Sequence, residues 1–371
     1  MEVIKLKKLA IIGASYLQLP LILKAKEMGL ETHVFAWKAN DVGEEAADFF
    51  YPISIIEKEE ILNKCREIGI AGICSIASDL AMVTVNYVAQ KLGLCSNSIE
   101  CTKKSTNKHL MRKCFELNND PSPKSMEVDE SFNPDSIDFE YPLIVKPTDR
   151  SGSRGIFKIE KKEDLKPAIL ASIKESFEKK ALIEEFARGQ EYSVEYISYK
   201  GKHTFLALTL KYTTGAPHFI ETGHMEPAPV SDEVLEKIKS VVSHALTSLE
   251  IEYGASHSEI KIDDNGNIKI IEIGGRMGGD CIGSDLVKYS TGYDFVKMVI
   301  ECALGEEPKF NKVEDPIKVY VKFIFNQDDI NEYNRLKNEE PERLIKLVYY
   351  EPENIGKTTD SSNRAGCYIY K

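Results

Sequence analysis

Residues 256–262 and 268–273 are two apolar alternating runs joined by Asp264-Asn265-Gly266-Asn267. An Asn-Gly pair between such runs is the strongest short-range signal for a β-hairpin. Each strand carries one acid, Glu259 in HSEIKI and Glu272 in IIEIGGR, so the hairpin brings both carboxylates onto one sheet. Two such acids repel unless a cation lies between them. Hard oxygen ligands of this kind suit magnesium carrying nucleotide phosphates. The plainer alternative is two solvated carboxylates on an exposed strand. Arg276 follows Glu272 by four residues in a glycine-rich turn. There it sets a fixed cation beside the acids, suited to a transferring phosphoryl group, or else it is a surface arginine in a loop.

Two features upstream belong with this hairpin. Lys146 sits in the apolar strand YPLIVKP, where a lysine needs an anion to justify its desolvation unless it reaches solvent at the strand end. Five residues on, the turn Ser151-Gly152-Ser153-Arg154-Gly155 is built of small residues whose free N–H groups can wrap phosphate oxygens, with Arg154 adding charge. Alone such a turn also reads as a linker.

The first hundred residues alternate short buried strands (9–14, 32–37 and 72–77) with amphipathic helical segments such as 19–27. Strand, helix, strand at this spacing predicts a parallel sheet with right-handed crossovers. Gly13 ends the first strand where dinucleotide folds place a phosphate turn, but Ser15 and Gln18 stand at the later glycine positions of Gly-x-Gly-x-x-Gly. The turn reads as packing, with a substrate contact as the alternative. Residues 118–138, rich in Asn, Asp, Pro and Ser, read as a loop region. Residues 141–147, 181–186 and 191–198 are further strands, 231–249 a capped helix, and 316–371 a tail that alternates like strands.

At 371 residues the chain exceeds one compact core. A net charge of −11 opposes a nucleic-acid partner, though a local basic pocket still suits a nucleotide. The eight cysteines are scattered, without Cys-x-x-Cys pairs or zinc spacing, and read as reduced thiols of a cytoplasmic protein. The apolar stretch near the start is only about five residues, short of a secretory signal or a membrane span.

The order of these features resembles the ATP-grasp superfamily over nearly the whole length. The resemblance implies an α/β pre-ATP-grasp domain (1–105), an α+β ATP-grasp domain (106–305) with a mobile lid near 140–190, and a small β-rich C-terminal region (306–371). It implies Lys108 and Lys146 as phosphate lysines and Ser151, Gly152, Ser153, Arg154 and Gly155 as the lid loop. LIEEFARGQEYSVE looks like the hinge, with Glu184, Glu185 and Phe186 beside adenine and Glu191 at the ribose. Glu259 and Glu272 match the metal ligands, for magnesium or manganese. Arg276 matches the arginine at the γ-phosphate or acyl phosphate, which with Lys146 makes the catalytic pair. The family usually writes Glu-x-Asn-x-Arg, whereas Gly274 stands in the asparagine position here, which leaves one or two metal ions open.

Within the superfamily, HFIETGHMEPAP looks most like the L-amino-acid ligase and carnosine-synthase group, and SSNRAGCYIY resembles the C-terminal strands of biotin-carboxylase-like members. The first likeness implies Glu221, His224, Arg276, Gly278 and Gly279 in the substrate pocket, with Lys211 a further candidate. The implied activity joins a small-molecule carboxylate to an amine at the expense of ATP, through an acyl phosphate, without nucleic-acid or membrane partners. A homodimer is compatible with this reading. The rival readings are activation of bicarbonate or formate, and a nucleotide-binding protein without turnover. No Met-Lys-Met biotinylation motif accompanies the first rival.

Overall fold

The computed structural model describes residues 6–150, 152, 154–215, 219–361 and 363–371. Ser151 and Ser153 lie outside them. Among the described residues the strands form three sheets. The first contains β1 (Lys8–Ile12), β2 (Glu31–Phe35), β3 (Phe49–Tyr51) and β4 (Gly72–Cys74), in the order β3-β2-β1-β4 and wholly parallel. Both of its faces are buried, Leu9, Ile11 and Val34 joining one core and Ala10, Ile12 and Phe35 another. This is the parallel sheet that the strand–helix alternation predicts.

The second sheet pairs β5 (Ser125–Val128), β6 (Leu143–Pro147), β7 (Phe157–Ile159) and β8 (Ala181–Glu185) antiparallel, in the order β5-β8-β6-β7. The helix Leu165–Glu175 packs Leu165, Ala168, Ile169 and Ile173 onto it. Residues 118–138, read as loop, thus contain a strand. The segment SMEV has little strand character of its own and is ordered by the free edge of β8, where Ser125 pairs with Glu184.

The third sheet comprises β9 (Gln190–Tyr199), β10 (Lys202–Thr213), β11 (Glu221–Glu226), β12 (Tyr253–Ile262), β13 (Ile268–Gly274), β14 (Val319–Ile324), β15 (Leu344–Tyr350) and β16 (Gly366–Tyr370). The order is β13-β12-β9-β10-β11-β14-β16-β15, and every pair is antiparallel. Alternation along β9 and β12 divides their side chains. Val194, Tyr196 and Ile260 join the core under the helix Asp232–Ser248, whose Ile238, Val242, Ala245 and Leu246 face them. Glu191, Glu195, His257 and Glu259 stand on the other face. The predicted hairpin is β12–β13, with Asp263 accepting from the N–H groups of Asn265 and Asn267 and Gly266 at φ 74°.

The tail holds strands, as read, but also the helix Gln327–Glu339. Asn326 caps it by accepting from Asp328 and Asp329, and Leu336 is its one buried residue. Its apolar side is only Ile330, Tyr333 and Leu336, which pack together, and this short stripe among polar residues was passed over in reading the tail as alternating strands. Among the described residues no helix is long and apolar enough to cross a membrane, and all eight cysteines are free.

Candidate active site

A cleft of about 170 Å3 opens between the second and third sheets. Its apolar part is lined by Ile144, Ile156, Phe186, Ala187 and Ile271, and its charged part by Lys108, Lys146, Glu184, Glu191, Glu259, Glu272 and Arg276. An apolar slot that merges into fixed charge fits a nucleotide, base at one end and phosphates at the other. Phe186 lies between two lysines, with Lys158 Nζ 4.7 Å and Lys261 Nζ 5.4 Å from its ring centre.

Lys146 is buried on β6 and does not reach solvent, so the strand-end alternative fails. Its ammonium sits 2.6 Å from Glu184 Oε2, and Arg112 Nε holds Glu184 Oε1, also at 2.6 Å. Burial pulls Lys146 below the usual lysine value, and Glu184 opposes that pull while Arg112 and Lys108 add to it. Glu184 ionises more readily than usual, because Arg112 and Lys146 outweigh its burial. This buried cluster has two cations for one anion, an excess that a phosphate would complement. Lys108 opens the helix Lys108–Leu117 and donates to Arg150 O at 2.7 Å and Glu272 Oε1 at 2.8 Å.

The hairpin register sets Glu259 directly opposite Glu272, and both line the cleft. Each is balanced by an ammonium, Glu259 by Lys211 at 2.6 Å and Glu272 by Lys108 at 2.8 Å. Among the described residues no group of three or more His, Cys, Asp or Glu side chains is placed to hold a metal ion, so Glu259 and Glu272 are the residues that would hold a magnesium or manganese ion arriving with a nucleotide, whose charge it would neutralise. Lys211, buried on β10, also faces Glu191 at 3.1 Å and Glu221 at 3.6 Å. Burial alone would depress its pKa, but Glu259, Glu191 and Glu221 hold it well above the usual value. Glu259 in turn lies well below the carboxylate range, since Lys211 and His257 overcome its desolvation.

A second cavity of about 320 Å3 adjoins the cleft. The two share Gly152, Glu221, His257, Glu259 and Arg276. Tyr16, Leu17, Ala77 and Asp79 of the N-terminal unit close one side of it, and Asp280 and Arg364 another. The glycine turn after β1 therefore delivers Tyr16 and Leu17 to this wall. Arg364 is buried, bonded to Asp280 at 2.6 Å, with Phe323 under its guanidinium. His224 lines the cavity with neither ring nitrogen bonded to a described residue. Burial and the neighbouring Lys211 lower its pKa to about 3, so it stays neutral.

Most of the residues singled out in the sequence converge on these two spaces. Glu185, Phe186, Glu191 and Gly152 line the cleft, and Arg154 and Gly279 the second cavity. Gly155 and Gly278 sit behind the walls. Gly155 is at φ 67° and packs on Pro147 and Glu175, while Gly278 donates its N–H to Glu195 at 3.1 Å. Three residues escaped notice: Glu195, His257 and Asp79. Glu195 is fully buried on β9 and bonds His257 Nδ1. Burial would lower His257, but Glu195 raises it to about 9, which makes it a cation on the shared wall. For Glu195 and His257 the one faint signal was alternation with Glu191 and Glu259 along paired strands, and for Asp79 there was none.

A family model described as an ATP-grasp domain matches residues 139–285. The alanine–anticapsin ligase of Bacillus subtilis is 27% identical over 301 residues, which cover 71% of this chain and 64% of that protein. The D-alanine–D-alanine ligase of Clostridium botulinum is 28% identical over 178 residues, 44% of this chain and 58% of that protein. The chain thus aligns with less than two thirds of the length of these relatives. An L-amino acid ligase from Bacillus licheniformis superposes with a TM-score of 0.82 at 22% identity, covering 98% of this chain and 93% of that one. A phosphoribosylglycinamide synthetase from Anaerococcus prevotii gives 0.79 at 22% identity, over 99% and 94%. Residues 139–285, which hold the buried strand lysine and both opposed carboxylates, thus match an ATP-grasp domain, and the chain shares its fold with these ligase and synthetase structures.

Proposed function

We propose that the chain is an ATP-dependent carboxylate–amine ligase acting on amino acids. The observation that carries this reading is the wall common to the nucleotide cleft and the second cavity, where Glu221, His257, Glu259 and Arg276 face both. A phosphoryl group leaving one space can there meet a carboxylate held in the other. The relatives named as ligases of alanine and of L-amino acids support the substrate class.

In this reading Phe186 and its apolar neighbours hold the base, Glu185 lies beside it, and Glu191 takes the ribose hydroxyls. Lys108, Lys146 and the loop 151–155 hold the phosphates. Glu259 and Glu272 would bind the divalent ion, which neutralises phosphate charge. A substrate carboxylate oxygen attacks the γ-phosphorus, the bond to ADP breaks, and an acyl phosphate forms. Arg276 offsets the charge on the transferring group. The amine nitrogen then attacks the acyl carbon, phosphate leaves, and the nitrogen gives up a proton. Glu221, His224, Gly278 and Gly279 border the substrates. Positioning and charge neutralisation supply most of such a phosphoryl-transfer barrier, so no covalent enzyme intermediate is needed.

ADP release is to be measured with magnesium, ATP and pooled amino acids, with bicarbonate and formate in separate pools. Release that requires amino acids supports the ligase. Release with bicarbonate or formate alone transfers the site to those acids, and silence in every pool removes the catalytic reading.

A further inference from the structure

Arg276 does not stand alone at the junction of the two cavities. Its Nε and Nη2 donate to Oδ1 and Oδ2 of Asp79 at 2.9 and 3.0 Å, and its Nη1 donates to Met277 O at 3.3 Å. Asp79 opens the helix Asp79–Leu92, outside the matched residues 139–285. The chain entering that helix is tied to the same loop. Ala77, in left-handed backbone at φ 58°, donates its N–H to Met277 O at 3.2 Å, and Gln18 Nε2 holds Ile76 O at 2.8 Å. Gly274 lies against the ion pair. A Cβ built there would stand 2.7 Å from Asp79 Oδ1 and 3.1 Å from Arg276 Nε. Any side chain at 274 must therefore push the pair apart.

We propose that Asp79 is the positioning residue for Arg276 and that Gly274 is its steric partner: carboxylate and guanidinium together occupy the space that the asparagine of Glu-x-Asn-x-Arg would need. A two-bond fork fixes the plane of a guanidinium as one bond cannot. It leaves one N–H on each of Nη1 and Nη2 for a ligand at the junction. The N-terminal unit thereby sets the orientation of a cation in the ATP-grasp site. The effect on turnover rests on the ligase reading, whereas the link between Asp79 and Gly274 does not.

The test is a cycle of Asp79→Ala, Gly274→Asn and the double variant, with Asp79→Asn as a near-isosteric fourth protein. Thermal midpoints are measured without ligand, and ADP release and ATP KM on the amino-acid pool. Gly274→Asn is expected to lower the midpoint by about 5 °C in the wild-type background and by less than about 2 °C beside Asp79→Ala, where the carboxylate is gone. Gly274→Ala carries the same comparison should the asparagine variant not fold. Asp79→Asn is expected to lower kcat about 100-fold, the scale of a small misplacement of a catalytic group, with ATP KM within about threefold. Equal midpoint losses in both backgrounds would overturn the steric link. A kcat within about threefold of wild type, or a loss confined to ATP KM, would overturn the positioning role. Wild-type protein silent in every pool would sink the ligase reading, and the midpoint cycle would still decide the pair.

Discussion

Glu226 is fully buried on β11, where the hydroxyls of Thr209 and Ser290 donate to its two oxygens. Burial raises its pKa to about 7. The folded chain therefore holds a proton that the unfolded chain, titrating near 4.5, has lost. Stability from this group falls as pH rises between those values and stays low above them. Urea unfolding should show a loss of about 2 kcal/mol between pH 5.5 and 8 from this group. Glu226→Gln, which does not titrate, should flatten that part of the curve, and an unchanged slope would refute the assignment. Lys211 is the opposite case, a buried cation among Glu191, Glu221 and Glu259. Lys211→Met leaves these acids without their shared cation, at a cost of about 3–5 kcal/mol. Magnesium with ADP should return part of it, which unfolding midpoints with and without the ligands will show. Lys146→Ala, which removes the buried lysine proposed to hold phosphate, should cut amine-dependent ADP formation at least about 100-fold; full activity would refute that role.

At the scale of elements, the junction between β8 and β9 is closed off by backbone. Gly189 turns there at φ 110°, and a Cβ would lie 2.1 Å from the carbonyl oxygen of Ile262. Backbone cannot yield as a flexible side chain can, so Gly189→Ala should cost about 3 kcal/mol or more from strain and clash combined. Calorimetry should find a midpoint several degrees lower, and a shift below about 1 °C would contradict the packing. The β12–β13 hairpin is the element most legible beforehand, because its turn residues demand one geometry and its alternation one register. The strand SMEV and the helix Gln327–Glu339 were hidden for opposite reasons. One is ordered by a neighbouring strand edge and leaves no period of its own, whereas the other is capped at Asn326 and shows only the short stripe Ile330, Tyr333 and Leu336 among polar residues.

For the whole molecule, β16 lies between β14 and β15 in the eight-stranded sheet, so residues 366–370 join two strands that do not pair with each other. Cys367, Tyr368 and Ile369 are fully buried there. Deleting residues 366–371 would expose that core and strip β15 of its partner. The truncated chain is expected to lose cooperative thermal unfolding. Retention of a sharp transition near the full-length midpoint would show that the tail is dispensable.

Residue types placed against their surroundings were enough to single out Lys146, Glu259, Glu272 and Arg276, which the fold brings to one cleft. A charge in an apolar strand stands out without any coordinates, and the Asp-Asn-Gly-Asn turn specifies which strands pair. Local pattern likewise determined the parallel N-terminal sheet, since short apolar strands separated by helices have few other ways to bury themselves. Asp79, Glu195 and His257 were illegible because nothing near them in sequence marks their partners: Asp79 meets Arg276 across 197 positions and Glu195 meets His257 across 62. Gly274 shows the division most clearly. In the sequence it is only a departure from the asparagine of the resembled motif, and only the fold brings the Asp79 carboxylate within 2.7 Å of where its Cβ would be.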